Sequence, residues 1–205
     1  MRKRDAGWTV AMVAVMASAT LAEHAPRHAD TDLTVCLTFS QALEQETSVK
    51  PAIFSEVNRI WAAMGVSVAS TGQFENGCDR WILVKSAFEA APEETASPRA
   101  IAWVPFVEKR ARRVVFVRMN RACALVEAFN PKNMIRPRSQ TDAQVAKLVG
   151  RSLAHELGHV LLNSLDHEKS GLMRASYGVH DASLSDVPSD YTLNARQLDR
   201  LFTAR

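Results

Sequence analysis

The feature that most constrains this chain is His155-Glu156-Leu157-Gly158-His159, followed by His167 and then by Gly171-Leu172-Met173. A helix turns about 100° per residue, so His155 and His159 fall roughly 40° apart, where both imidazoles can reach one ion. Glu156 lies beside the two rings on the same wheel, near enough to act on a water without being a ligand itself. Two surface histidines at this spacing mean little alone. The further histidine and the Gly-Leu-Met turn are what make the pair specific, and zinc is the ion they fit best.

The surrounding segment reads as the helix this chemistry needs. With His155 at zero, Val149, Leu153, Leu157 and Val160 cluster on the opposite arc, so the helix is expected to pack by one side and bind by the other. Pro137 precedes it, and Thr141-Asp142-Ala143-Gln144 has the form of a capping box. The spacing predicts a helix from about Asp142 to Leu162.

With those residues in view, the chain resembles a metzincin metalloprotease. That family carries H-E-x-x-H-x-x-G-x-x-H and a methionine turn beneath the zinc. This sequence departs from the pattern: Leu162 stands where the glycine is expected, Leu165 where the third histidine is expected, and His167 comes two residues late. The helix is therefore expected to run slightly further, with Asn163-Ser164 supplying the turn, because Asn tolerates left-handed backbone better than most residues. His167 is then the expected third ligand, with Asp166 and Glu168 as competitors, since catalytic zinc also accepts carboxylate oxygen. Met173 matches the turn methionine, which is itself a packing residue.

The resemblance implies an α+β fold: a twisted mixed sheet over a zinc-binding active-site helix, a Met turn and a C-terminal helix. It implies a zinc metallopeptidase, an endopeptidase with one catalytic Zn2+, in which Glu156 is the general base for a metal-activated water. Tyr177 is the candidate oxyanion donor. His180 is a weaker alternative ligand. An edge strand would hold an extended substrate by strand addition, and Ala100 to Val104 is the candidate, with Trp103 in the cleft or in the core.

From its beginning, the chain shows a basic Met1-Arg2-Lys3-Arg4, then an apolar run from Trp8 to Ala22 ending in small residues. That pattern is expected of a secretory signal peptide over 1–22, cut after Ala19 or Ala22, with an uncleaved anchor as the alternative. Its removal takes three basic residues and one acidic one, lowering the formal net charge from +3 to +1. So slight a balance gives no case for a nucleic-acid partner. Residues 23–32, with His24 and His28, read as a flexible polar amino terminus without a metal role. Residues 33–205 suffice for a single metalloprotease-like catalytic domain. The expected setting is periplasmic or secreted, with a peptide or protein substrate and no membrane association after cleavage; the oligomeric state is left open.

Cys36, Cys78 and Cys123 are an odd set without a C-x-x-C, compatible with one disulfide and a leftover thiol in an exported protein. Cys36 with Cys78 is the first pairing to test, though spacing alone does not fix it. Leu33 to Phe39 alternates like a strand. Val49 to Met64 has helical spacing that stops at Gly65. Val66 to Val68 and Trp81 to Val84 read as further strands on either side of a turn through Asn76-Gly77, and Phe88 to Pro98 as a loop. Ala100 to Val104 and Arg113 to Val117 bracket a charged turn, as in a hairpin. Thr192 is the expected cap of a final helix carrying Leu193, Leu198, Leu201 and Phe202.

Two alternatives to a metzincin-like peptidase stay open. One is an exported zinc-binding module without peptidase activity, which the displaced third ligand would allow. The other is a gluzincin-like peptidase whose third ligand is a downstream carboxylate.

Overall fold

The computed structural model describes residues 33–70, 77–94, 96–130, 137–177, 181, 183 and 188–203. The expected signal segment, the polar amino terminus with His24 and His28, Asn76 and His180 lie outside the described residues. In chain order the elements are β1 (Leu33–Phe39), α1 (Gln41–Glu46), α2 (Lys50–Ala62), β2 (Val66–Ser70), β3 (Arg80–Ser86), β4 (Ala102–Trp103), β5 (Phe106–Val107), β6 (Arg110–Ala111), β7 (Val114–Val117), α3 (Met119–Phe129), α4 (Arg138–Leu162) and α5 (Ala195–Thr203). No helix among the described residues is long and apolar enough to cross a membrane.

The fold is mixed α+β around a mixed sheet in the order β2-β1-β3-β7-β4. β1 runs parallel to both β2 and β3, with Val35 opposite Val68 on one side and Leu37 opposite Ile82 on the other. Val35, Cys36 and Leu37 are fully buried in succession, the apolar run that a parallel strand needs when both its faces are covered. β7 continues the parallel set beside β3. β4 closes the edge antiparallel to β7, Ala102 opposite Val117 and Trp103 opposite Phe116. Cys36 and Cys78 form a disulfide that ties β1 to the segment entering β3, and Cys123 is a half-buried free thiol.

The expected hairpin is thus present, with a refinement. Between its strands sits a second small hairpin of β5 and β6, turned by Glu108 and Lys109 at φ 48° and 63°. Trp103 belongs to the core: its ring stacks on Phe116 at 5.4 Å and its indole N–H donates to the Glu94 carbonyl at 2.6 Å.

Two helices escaped the sequence reading. α1 is six residues, capped by Ser40, whose hydroxyl accepts from the Leu43 amide. α3 buries Met119, Ala122 and Val126, at i, i+3 and i+7, a stripe made faint by small residues. Two caps also differ from expectation. α4 begins at Arg138 with Pro137 before it, so Thr141 lies within the helix rather than capping it. At α5, Asn194 rather than Thr192 is the cap, its side-chain oxygen accepting from the Gln197 amide while the Gln197 side chain accepts from the Asn194 amide.

α4 also differs from a helix that packs by one side only. Val149, Leu153 and Leu157 are buried as expected and Val160 is partly buried, yet Ala146, Leu148, Arg151, Ala154, His155 and His159 are buried as well. The second wall is α2, whose Trp61 donates its indole N–H to the Ala154 carbonyl at 3.2 Å. A helix enclosed on nearly all sides is held rigid, which a side-chain constellation requires of its support.

Candidate metal centre

Each part of the sequence signal has a local reason for its position. α4 ends at Leu162 because Asn163 takes the left-handed conformation, φ 45° and ψ 52°. The Asn163 side-chain oxygen accepts from the Ala111 amide at 2.9 Å, fastening the β5–β6 hairpin to the helix end. The chain then returns over the helix face. Ser164, within this turn, offers its carbonyl to His159, while His167 comes back beside both helical histidines.

Among the described residues, His155, His159 and His167 form the one group of three or more candidate ligands whose donor atoms lie within 4.8 Å of one another. The Nε2 atoms of His155 and His159 are 3.0 Å apart, and those of His159 and His167 are 3.2 Å apart. Zinc–nitrogen bonds of about 2.0–2.1 Å in a tetrahedron give a nitrogen–nitrogen edge of about 3.3 Å. Two edges of the cluster thus match that spacing, and the third pair of donor atoms lies within 4.8 Å.

Tautomers sharpen this fit. His155 Nδ1 lies 2.8 Å from the Leu172 carbonyl and His159 Nδ1 lies 2.6 Å from the Ser164 carbonyl. A carbonyl only accepts, so both Nδ1 atoms carry the proton and both Nε2 atoms present lone pairs. Burial depresses both rings, His155 to about 3, which opposes a second proton on either. Two lone pairs facing each other at 3.0 Å are unfavourable until a cation lies between them. The carbonyl partners are the outer contacts that orient ligating histidines.

Asp166 and Glu168, the competing ligands, stand outside the cluster. Asp166 accepts from the Ser164 hydroxyl at 2.7 Å, and Glu168 accepts from the Asn194 side-chain amide at 3.1 Å. Met173 is buried directly beneath the motif. A side chain at Gly158 would start 2.2 Å from the Met173 sulfur, so the glycine of the motif makes room for the methionine turn. That pairing of Gly158 with Met173 has no signature in spacing alone.

Glu156 is half-buried at the lining of a cleft of about 490 Å³ that also touches His155, His167, Ile101, Ala102 and Tyr177. Burial raises its carboxyl to about 8 against the opposing pull of the Val104 backbone amide. Val104 directly follows β4, so the sheet edge and the acid meet in one place. A larger cavity of about 960 Å³, lined in part by Gly171, Arg174 and Tyr191, touches none of the three histidines. Tyr177 packs its ring 5.1 Å from that of His155, and the Arg174 guanidinium lies over the Tyr177 ring at 4.2 Å from its centroid. Its hydroxyl donates to the Leu172 carbonyl at 2.6 Å, the same oxygen that His155 uses.

No protein-family model matches this chain, and no curated protein sequence matches it. Among solved structures, archaemetzincin from Methanopyrus kandleri is similar, at 14% identity and a TM-score of 0.42, over 86% of this chain and 96% of that one. At that level of likeness no residue role passes from one chain to the other. The site stands on its own donor geometry.

Proposed function

We propose that this chain is a zinc-dependent endopeptidase of metzincin type, exported and acting on peptide or protein substrates, with one zinc held by His155, His159 and His167. The observation that carries the reading is the pair of opposed Nε2 lone pairs at 3.0 Å, with a third imidazole nitrogen 3.2 Å away. When bound, zinc supplies a Lewis acid that polarises a carbonyl and makes water acidic near neutral pH.

The chain's own residues do the rest. His155 and His159 are already oriented by the Leu172 and Ser164 carbonyls and need no rearrangement to serve. Glu156 accepts a proton from the attacking water at its carboxylate and returns it to the departing amine nitrogen. β4, at the sheet edge, offers backbone groups along which an extended peptide adds as a further strand. Tyr177 would donate to the developing oxyanion once its hydroxyl leaves the Leu172 carbonyl. Met173 supports the ligand helix from below.

The direct test is metal content of the purified protein by mass spectrometry, beside hydrolysis of a quenched-peptide library with and without a chelator. The expected result is stoichiometric zinc and chelator-sensitive cleavage. Zinc without cleavage would favour the binding module, and a zinc-free protein that binds none on addition would remove the metal reading. Export is tested separately: the amino terminus of the secreted chain should follow Ala19 or Ala22.

A further inference from the structure

The cleft beside the histidines is lopsided in charge. Among the described residues, Glu156 is the one acidic group lining it, while Arg99 and Arg121 line it as well. The remaining walls are small, apolar or neutral, with Ala100, Ile101 and Ser152 among them.

Neighbouring arginines are spoken for. Arg118 donates to the Ser97 and Ala100 carbonyls at 3.0 and 2.8 Å and lies over Trp103. Arg112 pairs with Glu94 at 2.7 Å, and Arg174 pairs with Asp181. Arg121, in the first turn of α3, is different: its Nε is buried without a hydrogen-bond partner among the described residues. Arg121 is half-buried as a whole, but a buried N–H donor left unsatisfied is costly and uncommon in native structures without a reason. The planar guanidinium fork matches a carboxylate in two parallel hydrogen bonds.

We propose that Arg121, with the exposed Arg99 at the mouth of the cleft, forms a carboxylate-binding subsite that selects peptides bearing a carboxylate next to the bond to be cut. Ser152, on α4 one turn before Glu156, is part of the same lining, so the subsite shares a wall with the reacting centre. The carboxylate comes either from an aspartate or glutamate side chain or from a free carboxyl terminus. The inference rests on the peptidase reading above for the meaning of that bond.

The test uses the zinc-loaded full chain and three matched quenched peptides: an internal Glu with an amidated end, the same with Gln, and the Gln peptide with a free carboxyl end. A preference of about tenfold or more in kcat/KM for Glu over Gln is expected, the scale of a charge-assisted hydrogen bond. Arg121→Ala should bring that ratio close to one, and Arg121→Glu should favour a Lys peptide instead. A preference confined to the free carboxyl end assigns the subsite to chain termini. Equal rates on all three peptides by the wild-type protein overturn the proposal while leaving the peptidase reading intact. If no peptide is cut, binding of the amidated Glu and Gln peptides to the wild-type chain is measured by calorimetry. Tighter binding of Glu that Arg121→Ala removes keeps the subsite and sinks the peptidase, and equal binding sinks both.

Discussion

Two buried polar residues lie one turn apart on α4 and solve opposite problems. Arg151 is almost wholly enclosed, and protein oxygens engage two of its three nitrogens: Nε donates to Glu56 at 2.9 Å, and Nη1 donates to the Asp181 and Ser183 carbonyls at 2.6 and 3.1 Å. Glu56 in turn accepts two bonds from Arg59. His155, on the next turn, is enclosed too, but its inward nitrogen faces another lone pair. One cluster is closed by a charge pair within the protein, and the other is finished only by something added. Buried charge paired with its opposite holds a fold together, while lone pairs buried against one another mark a site.

The largest effect should fall on chemistry rather than stability. Glu156→Gln keeps all three imidazoles and removes the proton acceptor, so zinc content should stay at the wild-type level while kcat falls about 10²–10⁴-fold. Full activity in that variant would end the assignment of Glu156.

Stability should divide the two clusters next. Arg151→Ala takes from Glu56 its one fully buried cation and leaves the partly exposed Arg59, and breaking a buried pair costs about 3–5 kcal/mol. His167→Ala, at an exposed position, should change the metal-free protein by no more than about 0.5 kcal/mol. Zinc should reverse that indifference. At a thousandfold excess over Kd a ligand adds about 4 kcal/mol, and His167→Ala should lose most of it. Urea titrations of both variants, with and without zinc, measure all four values; equal losses from the two variants in the metal-free state would erase the distinction.

A smaller contrast lies in the two glycines of the helix. A side chain at Gly158 meets the Met173 sulfur at 2.2 Å, and one at Gly150 meets the Glu56 Cβ at 2.7 Å. Overpacking a filled interior costs about 1–3 kcal/mol, so each Ala variant should be destabilised on that scale. Only Gly158→Ala should also weaken zinc binding, because it pushes on the turn whose Leu172 carbonyl orients His155. Thermal melts and a competitive zinc chelator separate the two.

The same contrast explains what could be read in advance. The histidine motif, the helix end at Leu162 and the left turn at Asn163 were legible because each depends on local spacing or on one residue's backbone preference. So were the strands of the five-stranded sheet and α2, whose apolar residues recur at plain periods. α3 was not, because its buried face is built from alanine and methionine among arginines, and helix identity there comes from packing. Arg121 was hidden with it. The Arg151 cluster was also illegible: Glu56 and Arg151 are 95 residues apart, and only the packing of α2 along α4 joins them. Nor could spacing choose among Asp166, His167 and Glu168, since the choice turns on which side chain the returning loop aims at the helix.

The mildest effect is a pH dependence that belongs to the closed cluster alone. Burial by itself would raise the Glu56 carboxyl, but hydrogen bonds from Arg59 and Arg151 outweigh it and hold the group below its ordinary value of 4.5. A carboxyl lowered in the folded state contributes stability that is present above its unfolded value and lost as pH falls through the folded one. Wild type and Glu56→Gln should therefore differ most near neutral pH and converge as the pH drops below about 4.5. Urea midpoints of both proteins at several pH values check this. A gap that stays constant into acid would mean that Glu56 stabilises by packing against Gly150 rather than by its charge, and the closed cluster would lose its electrostatic account.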